Sequence, residues 1–148
     1  MLKIALYQPE IPHNTGALIR LCACFEVQLH IIHPCGFVWS DKHLARSGLD
    51  YHELATVVHH GDMGIFQEHF PPQQVLLFAP DRASCYTQVV YQPDHVLLFG
   101  QESVGFSPEV ETHYYQHVSI PMAKGCRSLN LALSAAIASS EALRQLRG

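Results

Sequence analysis

Three polar segments, each directly after a run of strand-forming residues, hold most of the side chains here that could do chemistry. The first is Pro12-His-Asn-Thr-Gly16, continuing to Arg20. If this stretch opens a helix, Arg20 lies one turn beyond Gly16 on the side that faces back to the loop. The second is Leu97-Leu-Phe-Gly-Gln-Glu-Ser-Val-Gly-Phe106, which sets Glu102 between Gly100 and Gly105. A glycine-flanked loop of this kind offers backbone N–H and C=O groups to a ligand. The third is Ile120-Pro-Met-Ala-Lys-Gly-Cys-Arg-Ser-Leu-Asn130, with Arg127, Ser128 and Asn130 just before a long helical pattern. Each has a plain structural alternative: a capped helix with a solvated Arg20, an ordinary strand-to-helix turn, and simple capping by Ser128. None is a phosphate loop or a dinucleotide fingerprint, because the lysine and the glycine spacing those need are missing.

The elements that must position these segments alternate. Leu2–Tyr7 and Val27–Ile32 read as strands flanking a helix from Asn14 to about Phe25, with Asn14 or Thr15 as its cap. Asp41–Arg46 reads as a short charged helix, Ala55–Val58 as a brief strand, and Met63–Phe70 as a helix stopped by Pro71 and Pro72. Val75–Ala79 and Val96–Phe99 are continuous apolar runs, the pattern of strands buried on both faces. Ser107 and Pro108 start a helix to Tyr115, Val118–Ile120 is a strand, and Leu129–Arg147 is a long helix. Alternation of this kind predicts an α/β class: one domain over residues 1–148, with a mainly parallel sheet and helices on both faces. In such sheets ligands gather at the carboxyl ends of strands, where the three polar segments fall.

Composition narrows the function. The 148 residues are 48% hydrophobic and 15% charged, which is globular rather than disordered. Nine Lys and Arg against thirteen Asp and Glu, a formal charge of −4, argue against bulk-charge binding to nucleic acid but leave room for a local basic patch. The five cysteines, odd in number and irregular in spacing, read as reduced core thiols. Eleven histidines include neither an HExxH nor an HxH pattern, so no metal is expected. No cleavable leader is visible and no apolar run is long enough for a bilayer, so a protein without a leader, in the cytoplasm and without membrane contact, is expected.

The order of the motifs is more specific than any one of them. N-T-G-x-x-x-R, then F-G-x-E-x-x-G, then I-P-M followed by S-L-N-L, resembles the three motifs of the SPOUT methyltransferases, and within them the TrmH-like ribose 2′-O-methyltransferases. The opening Y-x-P-E-I-P-x-N-T-G-x-x-I-R-L-C-A and the later G-F-x-W-x-D-K-x-L-x-R-x-G-L-D-Y-H-E are similar to the TrmL group, which acts on nucleotide 34 of tRNA. The resemblance covers essentially the whole chain. It implies a SPOUT α/β knot, with a trefoil knot near the C-terminus, and a homodimer whose active site is completed across the interface.

It also implies S-adenosyl-L-methionine as cofactor, held by Phe78, Ala79, Gly100, Ile120, Met122, Ser128, Leu129 and Asn130, with Gly100 leaving room for it. Arg20 is then assigned to the 2′-hydroxyl, with Asn14 and Glu102 placing it. A guanidinium holds its proton tenaciously, so both proton removal and charge stabilisation stay open for Arg20. The implied RNA contacts are Lys42, Arg46, Lys124 and Arg127, and the implied partner is the tRNA anticodon stem-loop. Trp39, Phe37 and Tyr51 are candidates for base stacking, or for ordinary core packing. The chain departs from the family pattern at Ser140, where a Tyr is often found, and at His43 and Ala45, where some relatives carry Arg. Rival readings are a SPOUT enzyme for another tRNA or rRNA position, a non-catalytic RNA-binding module, and a flavodoxin-like nucleotide binder.

Overall fold

A computed structural model describes residues 1–48 and 55–148, with side chains for all of these except 45–48. Tyr51 and the side chain of Arg46 therefore lie outside the described residues. The described strands are β1 (Lys3–Tyr7), β2 (Gln28–Ile32), β3 (Val57–His60), β4 (Val75–Phe78), β5 (Ser84–Cys85), β6 (Val96–Phe99) and β7 (His117–Ser119). The helices are α1 (Pro12–Phe25), α2 (Asp41–Gly48), α3 (Met63–His69), α4 (Pro108–His113) and α5 (Leu131–Arg147). The strands form one sheet in the order β3-β2-β1-β6-β4-β7-β5, and every pairing is parallel.

The pleat explains why β4 and β6 are apolar throughout. Leu76, Phe78, Leu97 and Phe99 join a core shared with α1, α2 and α5. Their neighbours Val75, Leu77, Val96 and Leu98 face the opposite way, into a core with Phe66 of α3 and Val110 of α4. Successive side chains point to opposite faces, so a strand covered on both sides must be hydrophobic at every position. The helices on both faces expected from the alternation are thus present.

Several local expectations are corrected. Helix α1 begins at Pro12 with Ile11 as a cap that makes no side-chain bond, so Asn14 and Thr15 lie inside the helix and are buried. Proline suits the first helical turn because its missing N–H would lack a partner there anyway. Helix α5 is capped by Asn130, whose Oδ1 accepts from the N–H groups of Ala132 at 2.8 Å and Leu133 at 3.2 Å, and not by Ser128. Strand β3 sits two residues later than expected because β2 sets its register, pairing Leu29 with Val57 and Ile32 with His60. The two-residue β5 had no apolar alternation to reveal it. All five cysteines are free, but only Cys22 is buried; Cys24 and Cys126 are exposed.

Candidate active site

Four strand ends on one edge of the fold open into a cleft of about 670 Å³. Its floor is Phe78 at the end of β4 and Phe99 at the end of β6, paired in register, with ring centroids 5.0 Å apart and planes 21° from parallel. Stacked aromatics at strand ends give a flat apolar surface. Three loops make the walls: the 79–82 segment, the 100–106 turn and the 120–130 segment that follows β7. Helices α1 and α5 close it with Asn14, Asn130 and Ser134.

The 100–106 turn is held by its own backbone. Gln101 and Gly105 exchange two N–H to C=O bonds of 2.9 Å. A Cβ on Gly100 would come within 2.8 Å of the Gly105 carbonyl carbon, so the missing side chain at Gly100 serves this close crossing. The fold itself therefore requires a glycine at position 100, beside the cofactor contact that the resemblance implies there. Gly105, at φ +69°, supplies the left-handed residue that closes the turn.

Glu102 points from this turn to the start of α1. Its carboxylate accepts from the backbone N–H of Glu10 and of Ile11, each at 2.9 Å, and from Asn14 Nδ2 at 3.5 Å. It thereby takes over two donors at the start of α1 that no side-chain cap satisfies. Asn14 Oδ1 in turn accepts from Asn130 Nδ2 at 3.1 Å. The three polar segments therefore meet through Asn130, Asn14 and Glu102.

Every expected cofactor residue lines the cleft: Phe78, Ala79, Gly100, Ile120, Met122, Ser128, Leu129 and Asn130. So do Asn14, Glu102 and Arg127. Arg20, Lys42 and Lys124 do not; all three are exposed side chains outside the lining of their own chain's cleft. Arg82 is a wall residue that the sequence did not single out. It pairs with Glu111 and donates to His117 Nδ1 at 3.2 Å, which ties the wall to α4 and β7. Nothing in the local pattern around Arg82 signals this, because both partners are distant in sequence. Phe37 and Trp39 stack at 6.1 Å and both pack against the core, with the indole Nε1 donating to Asp41 Oδ1 at 2.9 Å.

A cleft at the carboxyl ends of parallel strands, with an aromatic floor and polar loop walls, lies where α/β enzymes bind small molecules. The chain belongs to the SpoU rRNA Methylase family, whose model matches residues 1–140. It is 43% identical over 148 residues to the tRNA (cytidine(34)-2'-O)-methyltransferase of Escherichia coli (strain K12), covering 99% of this chain and 94% of that one. A solved structure from work on the 2-OH methylation of C/U34 on tRNA superposes with a TM-score of 0.94 at 38% identity, covering 100% of this chain and 97% of the other. The SpoU methyltransferase AviRb from Streptomyces viridochromogenes, solved with AdoMet, has the same fold: TM-score 0.86 at 24% identity, over 100% of this chain and 58% of that one.

Proposed function

We propose that this chain transfers a methyl group from S-adenosyl-L-methionine to the ribose 2′-hydroxyl of nucleotide 34, a cytidine or uridine derivative, in the tRNA anticodon loop. S-Adenosyl-L-homocysteine is the second product. The observation that carries the reading is the convergence of Phe78, Gly100, Ile120 and Ser128 on one cleft, with Asn14 and Glu102 beside them. The likeness to the Escherichia coli enzyme supports the choice of nucleotide.

The donor set fits the cofactor. Adenine needs an apolar slot edged by backbone donors and acceptors, and Phe78, Phe99 and Met122 provide the apolar part. Among the described residues, no hydrogen bond engages the backbone of Met122 or Leu129, so their polar groups remain available at the wall. Phe78, Ala79, Gly100, Ile120, Met122, Ser128, Leu129 and Asn130 would hold it. Bound there, it supplies an electrophilic methyl carbon on a sulfonium. The chain must then orient the 2′-oxygen in line with that carbon and ease its loss of a proton.

Arg20 takes the second task as a permanent cation that stabilises charge growing on the 2′-oxygen. Its place on the exposed side of α1, outside the lining of its own chain's cleft, supports a role in a partner's cleft. The reading is therefore a homodimer, and α5 supports it. Leu133 is 58% exposed and Ile137 37% exposed, one turn apart on α5. A second protomer would cover them. The trefoil knot of the family belongs to the same reading, as do the RNA contacts by Lys42, Arg46, Lys124 and Arg127 and a cytoplasmic location. Among the described residues no helix is long and apolar enough to cross a membrane, and no group of His, Cys, Asp and Glu could hold a metal ion.

The test is a methylation assay on total tRNA followed by mapping of the modified nucleotide, with light scattering for the dimer. A 2′-O-methyl group at position 34 supports the reading. Methylation at another tRNA or rRNA position, or none with native RNA, overturns it.

A further inference from the structure

Residues 8–11, between β1 and α1, act as a hub. On one side they meet the loop that leads from β2 to α2. Gly36 N donates to Pro9 O at 2.9 Å, and a Cβ on Gly36 would lie 3.0 Å from Glu10 Cα, so the two backbones are in contact. On the other side they meet the 100–106 turn of the cleft, where Gln101 Nε2 donates to Gln8 Oε1 at 3.1 Å. The strongest link is reciprocal. Glu102 accepts from the Glu10 and Ile11 N–H groups, while Glu10 Oε1 accepts from Ser103 N at 2.9 Å and Ser103 Oγ at 2.7 Å. Glu10 Oε2 also accepts from Ser103 Oγ, at 2.9 Å.

Each carboxylate is thus held by donors from the other's loop. Ser103, Glu102 and Gln101 all line the cleft, whereas Glu10 does not. Glu10 thus holds a cleft wall from behind.

We infer that Glu10 is a positioning residue for methyl transfer: its carboxylate clamps Ser103, and so fixes Glu102 and the cleft wall relative to the loop that leads into α2. The inference rests on the methyltransferase reading. It links the loop around Gly36 to the cleft through a residue outside the cleft lining.

The experiment compares Glu10→Ala, Glu10→Gln and Ser103→Ala in the full-length protein. S-Adenosylhomocysteine binding is read by calorimetry, kcat and KM on total tRNA by methyl transfer, and amide exchange at 102–105 in the free protein. Glu10→Ala is expected to weaken S-adenosylhomocysteine binding several-fold and to lower kcat, with a fall of only a few degrees in melting temperature from the lost surface hydrogen bonds. Amide protection at Ser103 is lost with it. Glu10→Gln keeps an acceptor for Ser103 N and recovers most of the binding, and Ser103→Ala falls between. Wild-type ligand binding and exchange by Glu10→Ala overturn the inference. So does equal damage in Glu10→Ala and Glu10→Gln with a matching fall in melting temperature, which marks a role in folding alone. If the wild type methylates no tRNA, the methyltransferase reading fails by itself, while the exchange readout still decides whether Glu10 clamps the turn.

Discussion

Asn130 Nδ2 donates to Asn14 Oδ1 at 3.1 Å, across 116 residues of chain, while Asn130 Oδ1 caps the last helix. One amide thus serves two ends with its two different atoms, and they can be separated. Asn130→Asp keeps the capping oxygen but sets a carboxylate against Asn14 Oδ1. It should cost about 1 kcal/mol, because the buried Asn14 oxygen loses its donor, and weaken S-adenosylhomocysteine binding about tenfold. Asn130→Ala loses the cap as well and should cost about 2 kcal/mol. Thermal melts beside calorimetry tell the two apart.

The two glycines of the 100–106 turn should differ in their response. Gly100→Ala drives a methyl into the Gly105 backbone at 2.8 Å and is expected to cost about 2–3 kcal/mol while abolishing ligand binding. Gly105→Ala meets nothing within 4 Å and carries only the strain of φ +69°, about 1 kcal/mol. Urea denaturation of both variants checks the order, and a larger loss at Gly105 contradicts it.

Arg20→Ala should abolish methyl transfer with cofactor binding intact. Because Arg20 lies outside the lining of its own cleft, a mixed dimer distinguishes shared from separate sites. Pairing an Arg20→Ala protomer with a Glu102→Ala protomer leaves one complete site if Arg20 serves its partner, and none if it serves its own chain. Recovered activity in the purified mixed dimer supports sharing; an inactive mixed dimer refutes it.

His30 and His60 make the fold sensitive to acid. His30 is 3% exposed, and its Nδ1 lies 2.8 Å from His60 Nε2, so the pair shares one proton at most in comfort. Burial, with His60 and Lys3 adding to it, pushes the His30 pKa down to about 4 from 6.5. A lowered imidazole pKa means the unfolded chain binds the proton more readily. The stability involved is complete above about pH 6.5 and is lost as pH falls towards about 4. Between pH 7 and 5 the loss should approach about 2 kcal/mol. Urea titrations of wild type and His30→Gln at both pH values measure it, and parallel lines for the two proteins would refute it.

The strands Val75–Phe78 and Val96–Phe99 were legible because a strand covered on both faces leaves an uninterrupted apolar run. The cleft residues were legible as well, since Gly100, Ile120 and Ser128 each follow a strand within a motif of recognisable order. The helix starts were not. Asn14 and Ser128 have the chemistry of caps, but Glu102 from far along the chain serves the start of α1, and Asn130 outcompetes Ser128 by reaching two N–H groups. Glu10 and Arg82 escaped notice for a related reason. Their partners lie 93 and 29 residues away, and no local pattern encodes contacts of that span.

The helix that begins at Leu131 brings Asn130, Leu131 and Ser134 to the cleft, so the lining is complete only when α5 has docked on the core. Ligand affinity is therefore a read-out of that docking. Molecules in which α5 is docked gain protection that rises with the logarithm of ligand concentration, whereas those in which it has come away lose part of the cleft and with it that protection. Supply of the methyl donor would thus favour the docked form of the helix over the undocked one.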